Sequence, residues 1–268
     1  ETYEMIKNES KVSNHVFAQQ LGYAKIEGCI NENKPYLFVL GASEGFSDMM
    51  PVHITSGKYP TSSSEILIPD HLYENGGVEL NIGDTIELAL GKRMLDGYSM
   101  GQYTPYYVYD ENNETIPSGE KLVVDETRSY TVVGFYERPS FENFTAPGYT
   151  ALTIADKDTN AQYNYSVWFK MNKAKDVYSF IEDNQLTGRT NSSVLRYSGI
   201  SRYEGFNSMI ISLATIVIAL IMLGSISLIY NAFSISVAER TKQFGLLSSV
   251  GATKKQLRRM VVSEALMV

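Results

Sequence analysis

The chain's three histidines, His15, His53 and His71, and its single cysteine, Cys29, are the side chains best suited to bind a metal or attack a substrate. Structural metal sites draw such ligands from positions a few residues apart, and no two of these four lie that close. They read as ordinary structural or surface residues. Asp125 and Glu126 are adjacent, so on a strand they point to opposite faces and make a poor acid–base pair. No Gly-x-x-x-x-Gly-Lys-Ser/Thr loop occurs to cradle phosphate, and no Gly-x-Ser-x-Gly elbow occurs to present a nucleophile. No catalytic, cofactor-binding or metal-ligating residue is assigned. Five tyrosines, Tyr98, Tyr103, Tyr106, Tyr107 and Tyr109, crowd into twelve residues. Tyrosines supply rigid amphipathic contact area, so these form either an outer binding surface or aromatic filling of an edge strand or loop.

Any such chemistry must be positioned around one dominant element. From Gly205 to Ala238 the chain has no charged residue, and Met209 to Ile235 is an almost unbroken apolar run. A bilayer is spanned by about 20 apolar residues in a helix, and the uncharged stretch would be about 50 Å long as one. The alternative, a buried helix of a soluble protein, rarely lacks a polar face for so long. Beyond it, 236–268 carries Arg240, Lys242, Lys254, Lys255, Arg258 and Arg259 against Glu239 and Glu264. Residues 1–235 hold the remaining 17 basic and 28 acidic residues, a net of −11 within the chain's −7. Basic segments beside a span stay cytoplasmic, so the acidic part is expected outside and 236–256 inside. This distribution argues against nucleic acid as a partner. The chain opens at Glu1 without Met or signal peptide and ends in a second apolar stretch, Met260–Val268, so it reads as a fragment with a further span expected upstream.

The outer part reads as mixed α+β. A helix is expected over 1–16, then strands at 36–40, 65–69 and 85–90. Strands at 121–124 and 130–136 flank the polar Asp125–Arg128, which reads as a hairpin. Strands at 149–155 and 165–171, a helix over 173–184 and a strand at 193–197 complete it. The strand-rich stretch 84–137 looks like a separate β lobe inserted in an α+β layer.

The segment from Leu228 to Arg259, with Glu239-Arg240, Gly245-Leu246-Leu247, Gly251-Ala252-Thr253 and Gln256-Leu257 at its centre, resembles the FtsX-like permease family of ABC transporters. Upstream, Gly57–Pro60, Glu65–Pro69, Ile82–Ile86 and Tyr130–Phe135 look like that family's MacB-like extracytoplasmic core domain. The resemblance implies a fold class: an α+β extracytoplasmic domain, with a porter-like α/β lobe and an inserted β-rich sabre-like lobe, followed by α-helical transmembrane segments. It divides the chain into 1–204 outside (84–137 inserted), a span at 205–235, a cytoplasmic coupling loop at 236–256, and the start of the next span at 257–268. It implies a multi-pass cell-membrane permease, closest to those of Gram-positive bacteria, with ATPase activity on a separate subunit. ATP hydrolysis would then move the outer domain for export, extraction or resistance involving peptides, lipids or antibiotics. The alternative is a membrane-anchored sensor or adaptor that passes ligand binding inward without transport.

The resemblance makes Glu239, Arg240, Phe244, Gly245, Leu246, Leu247, Gly251, Ala252, Thr253 and Gln256 the contact to an ABC ATPase subunit. Thr253-x-x-Gln256 independently fits a capping box after a break at Gly251. A loop folded back on the protein's own spans, or resting on anionic lipid, is the competing reading of the same residues. Gly224, Ser227, Asn231 and Ser234 share one helical face, as small and weakly polar residues do where membrane helices meet. The partners expected are therefore the ATPase, a second permease module or subunit, and the lipid bilayer.

Overall fold

The computed structural model describes residues 2–156, 163–202 and 204–266, in two compact units, Glu1–Val177 and Tyr178–Val268.

In the first unit a short helix α1 (Thr2–Lys7) leads into the long strand β1 (Val12–Lys25). The helix expected over 1–16 thus ends nine residues early. The Glu9 carboxylate accepts the Lys11 N–H at 3.0 Å, and from Val12 the chain pairs with β11 (Asn164–Met171). Val12, Val16 and Phe17 suit a pleated surface better than a helix, and a pairing partner some 150 residues away decided the matter. Next come β2 (Tyr36–Ala42), α2 (Phe46–Met49), β3 (Ile54–Gly57), β4 (Glu65–Pro69), α3 (His71–Gly76) and β5 (Thr85–Leu95). They are followed by β6 (Tyr98–Met100), β7 (Tyr107–Tyr109), β8 (Thr115–Pro117), β9 (Lys121–Tyr136) and β10 (Gly148–Ile154).

Nine strands form one sheet in the order β11-β1-β2-β10-β4-β9-β5-β6, with β3 on β9 and a further β1–β5 bridge at Tyr23–Gly91 that closes the path on itself. That closure needs glycine. A Cβ on Gly22 (φ 134°) would lie 2.8 Å from the Gly91 carbonyl oxygen, and one on Gly91 would lie 2.0 Å from that of Val123. Alternate residues serve two cores. Leu37, Val39, Ile66, Ile68, Leu90, Val132 and Tyr149 share one, while Tyr36, Phe38, Leu40, Phe46, Leu67 and Leu152 share the other. With apolar neighbours on both faces, β2 is buried along its whole length, which is why it reads as an uninterrupted apolar run.

The hairpin expected at Asp125–Arg128 does not form. Those residues lie inside the continuous 16-residue β9, at a bulge opposite Leu90 and Gly91. The reversal occurs instead at Asp96-Gly97, both at positive φ (49° and 85°), which joins β5 to β6. Asp-Gly is the dipeptide that suits such a two-residue turn, whereas Asp-Glu-Thr-Arg offers no glycine. Within 84–137, β5 and β9 are strands of the main sheet and β7 and β8 pair only with each other.

In the second unit α4 (Val177–Asp183), entered through a 3-10 turn at Ala174–Asp176, meets the helix expected over 173–184. The strand expected at 193–197 is instead a helix, α5 (Ser192–Tyr197). Asn191 caps it by accepting the Val194 N–H at 3.3 Å, and Gly199 at φ 71° follows it. Asn and Gly are the residue types that start and end a helix, and here they flank 192–197. Then come α6 (Glu204–Ser249) and α7 (Lys254–Ala265).

Candidate functional site

The apolar composition of 208–235 becomes a single helix, α6, of 46 residues, about 69 Å at 1.5 Å per residue. Its Ser208–Ser249 portion is, among the described residues, the one helix long and apolar enough to cross a membrane, and none of its most apolar window is buried. Several of its hydroxyls are satisfied within the helix. Ser212, Thr215 and Ser225 each donate to the carbonyl four residues back at 2.8 Å, and Thr241 does so at 2.7 Å. That pairing lets polar side chains sit in an apolar environment without an orphaned group. Gly224, Ser227, Asn231 and Ser234 all lie on α6, and a Cβ on Gly224 would meet nothing within 4 Å. This face is open to another helix.

The segment expected as a loop at 236–256 is helical through Ser249. Glu239, Arg240, Phe244, Gly245, Leu246 and Leu247 are therefore residues of α6, and the break between α6 and α7 is confined to Val250–Thr253. A lone Gly245 costs only about 1 kcal/mol in a helix, too little to end one this long. At Gly251 (φ 94°) the chain leaves the helix: the Ala252 N–H donates to the Leu247 carbonyl at 3.0 Å and the Gly251 N–H to that of Ser248 at 3.1 Å. These two bonds are a Schellman C-cap, which glycine in the left-handed region completes without strain. Thr253 then starts α7. The Gln256 Oε1 accepts both the Thr253 N–H and its hydroxyl at 2.9 Å, one half of a capping box. Leu246 (63% exposed) and Leu247 (38%) lie in the last turn of α6, and α7 carries Lys254, Lys255, Arg258 and Arg259.

The five tyrosines do not share one surface. Tyr98, Tyr103 and Tyr109 are exposed, near the acidic Asp96, Asp110, Glu111 and Glu114, while Tyr106 packs edge-on against buried Tyr36 at 5.7 Å. Tyr107 stacks edge-on with Tyr109 at 5.9 Å.

The loop bearing Tyr103 is held by a group that sequence reasoning missed. Arg93 is fully buried, pairs through Nε and Nη2 with Glu120 at 2.6 and 2.5 Å, and donates from Nη1 to the carbonyls of Gly101 and Thr104 at 2.8 and 3.0 Å. Its guanidinium lies 5.3 Å from the Tyr23 ring centre and 5.8 Å from that of Tyr36. Its charge fell where alternation along β5 was read only to Leu90.

A second buried centre is Glu142, on the β9–β10 connection. Its Oε1 meets Lys34 Nζ at 2.8 Å, His71 Nε2 at 2.9 Å and Arg138 Nε at 3.1 Å, and its Oε2 accepts the Thr150 N–H at 2.8 Å. Burial alone would raise this carboxyl, but the bond from His71 and the Lys34 charge outweigh it and hold the pKa at about 2. Burial draws the Lys34 ammonium below its ordinary value, against the pull of Glu142. His71 is held in this cluster by its bond to Glu142, and its ring lies 4.9 Å from that of Tyr149. Lys34 and Glu142 are 108 residues apart, and no local pattern announces such a pair. Among the described residues no group of three His, Cys, Asp or Glu side chains could hold a metal.

Residues 215–268 match the family model of the FtsX-like permease C-terminal region. No curated protein matches the chain. Among solved structures, it is similar to the extracellular domain of the noncanonic ABC-type transporter YknZ from Gram-positive bacteria. That similarity is 13% identity and a TM-score of 0.34, over 69% of this chain and 82% of that one. It is also similar to the periplasmic region of MacB from Actinobacillus actinomycetemcomitans, at 13% identity and a TM-score of 0.34, over 72% of this chain and 71% of that one.

Proposed function

The chain carries the C-terminal module of the FtsX-like permease family at residues 215–268, and from that premise we propose that it is the permease subunit of a bacterial ABC complex. A separate ATPase drives it, consistent with a sequence that contains no phosphate-cradling loop. The Glu1–Val177 unit lies outside the cell membrane, α6 is one of several spans, and α7 begins the next. The carrying observation is the end of α6. An apolar helix closes in a tight glycine turn with Leu246 and Leu247 exposed and six basic residues in 236–268. Apolar side chains at a cationic tip suit a groove on a partner protein. ATP hydrolysis is transmitted through Glu239–Gln256 to the outer unit, in export, extraction or resistance involving peptides, lipids or antibiotics. Gly224, Ser227, Asn231 and Ser234 face another span or permease module, and Tyr98, Tyr103 and Tyr109 offer the outer contact surface.

The test is capture of the full chain from its native membranes. An ABC ATPase is expected to co-purify, and Leu247→Asp or Arg240→Ala is expected to release it or to abolish stimulated hydrolysis while the protein stays in the membrane. Wild-type ATPase binding and turnover in both variants would remove the coupling assignment.

A further inference from the structure

Between Asn184 and Tyr203 the chain carries Arg189, Arg196 and Arg202 and no acidic residue, within an N-terminal portion, 1–235, whose 17 basic and 28 acidic residues leave −11. This basic island belongs to the same compact unit as α6 and ends two residues before α6 begins. Arg202 stands six residues before Ser208, where the membrane-length stretch begins. The intervening α5 buries only Leu195. It turns Val194 (57% exposed) and Tyr197 (95% exposed) outward. Beside it lies a cavity of about 180 Å³ lined by Thr190, Ser192, Arg196, Ser201 and Arg202, together with Glu182, whose carboxylate is 3.5 Å from Arg202.

The bland reading is a solvated surface, with an exposed ion pair worth little. Three observations weigh against it. The basic residues are concentrated where the rest of the outer portion is acidic. An aromatic ring left almost wholly bare sits one helical turn from an exposed valine. All of this directly precedes, in sequence, an apolar helix of membrane length. Guanidinium groups match phosphate oxygens in a planar fork, basic residues beside a span are drawn to anionic lipid, and tyrosine prefers headgroup depth.

We propose that the segment Arg189–Arg202 seats phosphate headgroups of the leaflet from which α6 enters, with Arg196 and Arg202 as the headgroup ligands and Val194 and Tyr197 resting at the interface. The proposal rests on α6 crossing the membrane and is independent of ATPase coupling. Hydroxyls of Thr190 and Ser192 line the same cavity and supply donors for the remaining phosphate oxygens. The single carboxylate, Glu182, offsets one guanidinium and leaves the cavity cationic.

The experiment uses the full chain in a Cys29→Ser background, with a spin label on Tyr197→Cys, in nanodiscs of phosphatidylglycerol or of a phosphate-free galactolipid. In phosphatidylglycerol the label is expected to lose access to a water-soluble nickel chelate relative to a label on Asn112→Cys, at the exposed β7–β8 turn. Access should return in galactolipid, and also in phosphatidylglycerol when Arg196→Gln and Arg202→Gln are combined. Equal shielding in galactolipid or in the double variant would overturn the arginine–phosphate contact, as would a Tyr197 label as open as that on Asn112. A label on Leu220→Cys reads the span by itself: shielded in both lipids, it confirms the premise. Open to the chelate, it locates the failure in the span.

Discussion

Glu142 shows how much one side chain organises when it is buried among cations. Its carboxylate ties Lys34 at the start of β2, His71 at the start of α3 and Arg138 beyond β9 to the Thr150 amide of β10. Removing one partner of such a centre leaves the others charged and unmatched, which typically costs about 3–5 kcal/mol. Glu142→Ala is therefore expected to lower the unfolding free energy of the outer unit by about that amount. Trp168 fluorescence can follow it, since that ring packs at 6.0 Å from Phe141, next in sequence to Glu142. The same group sets a pH dependence. A carboxyl held at about 2 against an ordinary 4.5 stabilises the fold wherever it is ionised in both states. Its contribution is fully present above about pH 5 and is lost as pH falls from 4.5 toward 2, about 3 kcal/mol at 1.36 kcal/mol per unit. Acid melts of the wild type should show this loss, and those of Glu142→Ala should lack that part of it. Parallel acid profiles for the two proteins would remove the assignment.

Among elements, the α6–α7 turn depends most on backbone conformation. Gly251 at φ 94° closes the Schellman bonds to Leu247 and Ser248, and an L-residue in the left-handed region costs roughly 1–2 kcal/mol. Gly251→Val is expected to loosen the turn and to reduce ATPase stimulation, with membrane level and the outer unit's melting unchanged. Full stimulation by this variant would mean the turn geometry does not matter for coupling. Gly224→Leu addresses the opposite question. A Cβ there has open space around it, so the substitution costs the isolated chain little. If this face meets another membrane helix, the added bulk should lower the yield of assembled complex several-fold, measured by size-exclusion chromatography of the purified assembly. Unchanged yield would leave the stripe a tolerant surface.

For the whole molecule, the decisive quantity is orientation. The N-terminal flank of α6 carries Arg189, Arg196 and Arg202, while the C-terminal side carries Arg240, Lys242, Lys254, Lys255, Arg258 and Arg259. The asymmetry favours 236–256 inside. In a Cys29→Ser background, Asn112→Cys is expected to react with an impermeant thiol reagent on intact cells, and Ser249→Cys only after permeabilisation. Labelling of both from outside would reverse the scheme and with it the ATPase contact.

The sequence by itself determined the membrane-length helix, most strands of the Glu1–Val177 unit and the capping residues of the α6–α7 turn. These depend on apolar run length, on period and on Gly, Thr and Gln at fixed offsets, all of which act over a few residues. β4 spans the expected Glu65–Pro69, and Gly251 and Thr253 stand where the turn and cap were expected. The sequence also carried signals that were outweighed: Asp96-Gly97 for the β5–β6 reversal, and Asn191 with Gly199 around α5. Only the tertiary structure decided that Val12–Phe17 joins a sheet, because its partner strand β11 is remote in the chain. It alone separated Tyr106, packed on Tyr36, from the exposed Tyr98, Tyr103 and Tyr109. It likewise brought Lys34 to Glu142 and Arg93 to Glu120. Charge pairs across 108 and 27 residues leave no period or motif to read, since what joins them is the register of distant strands.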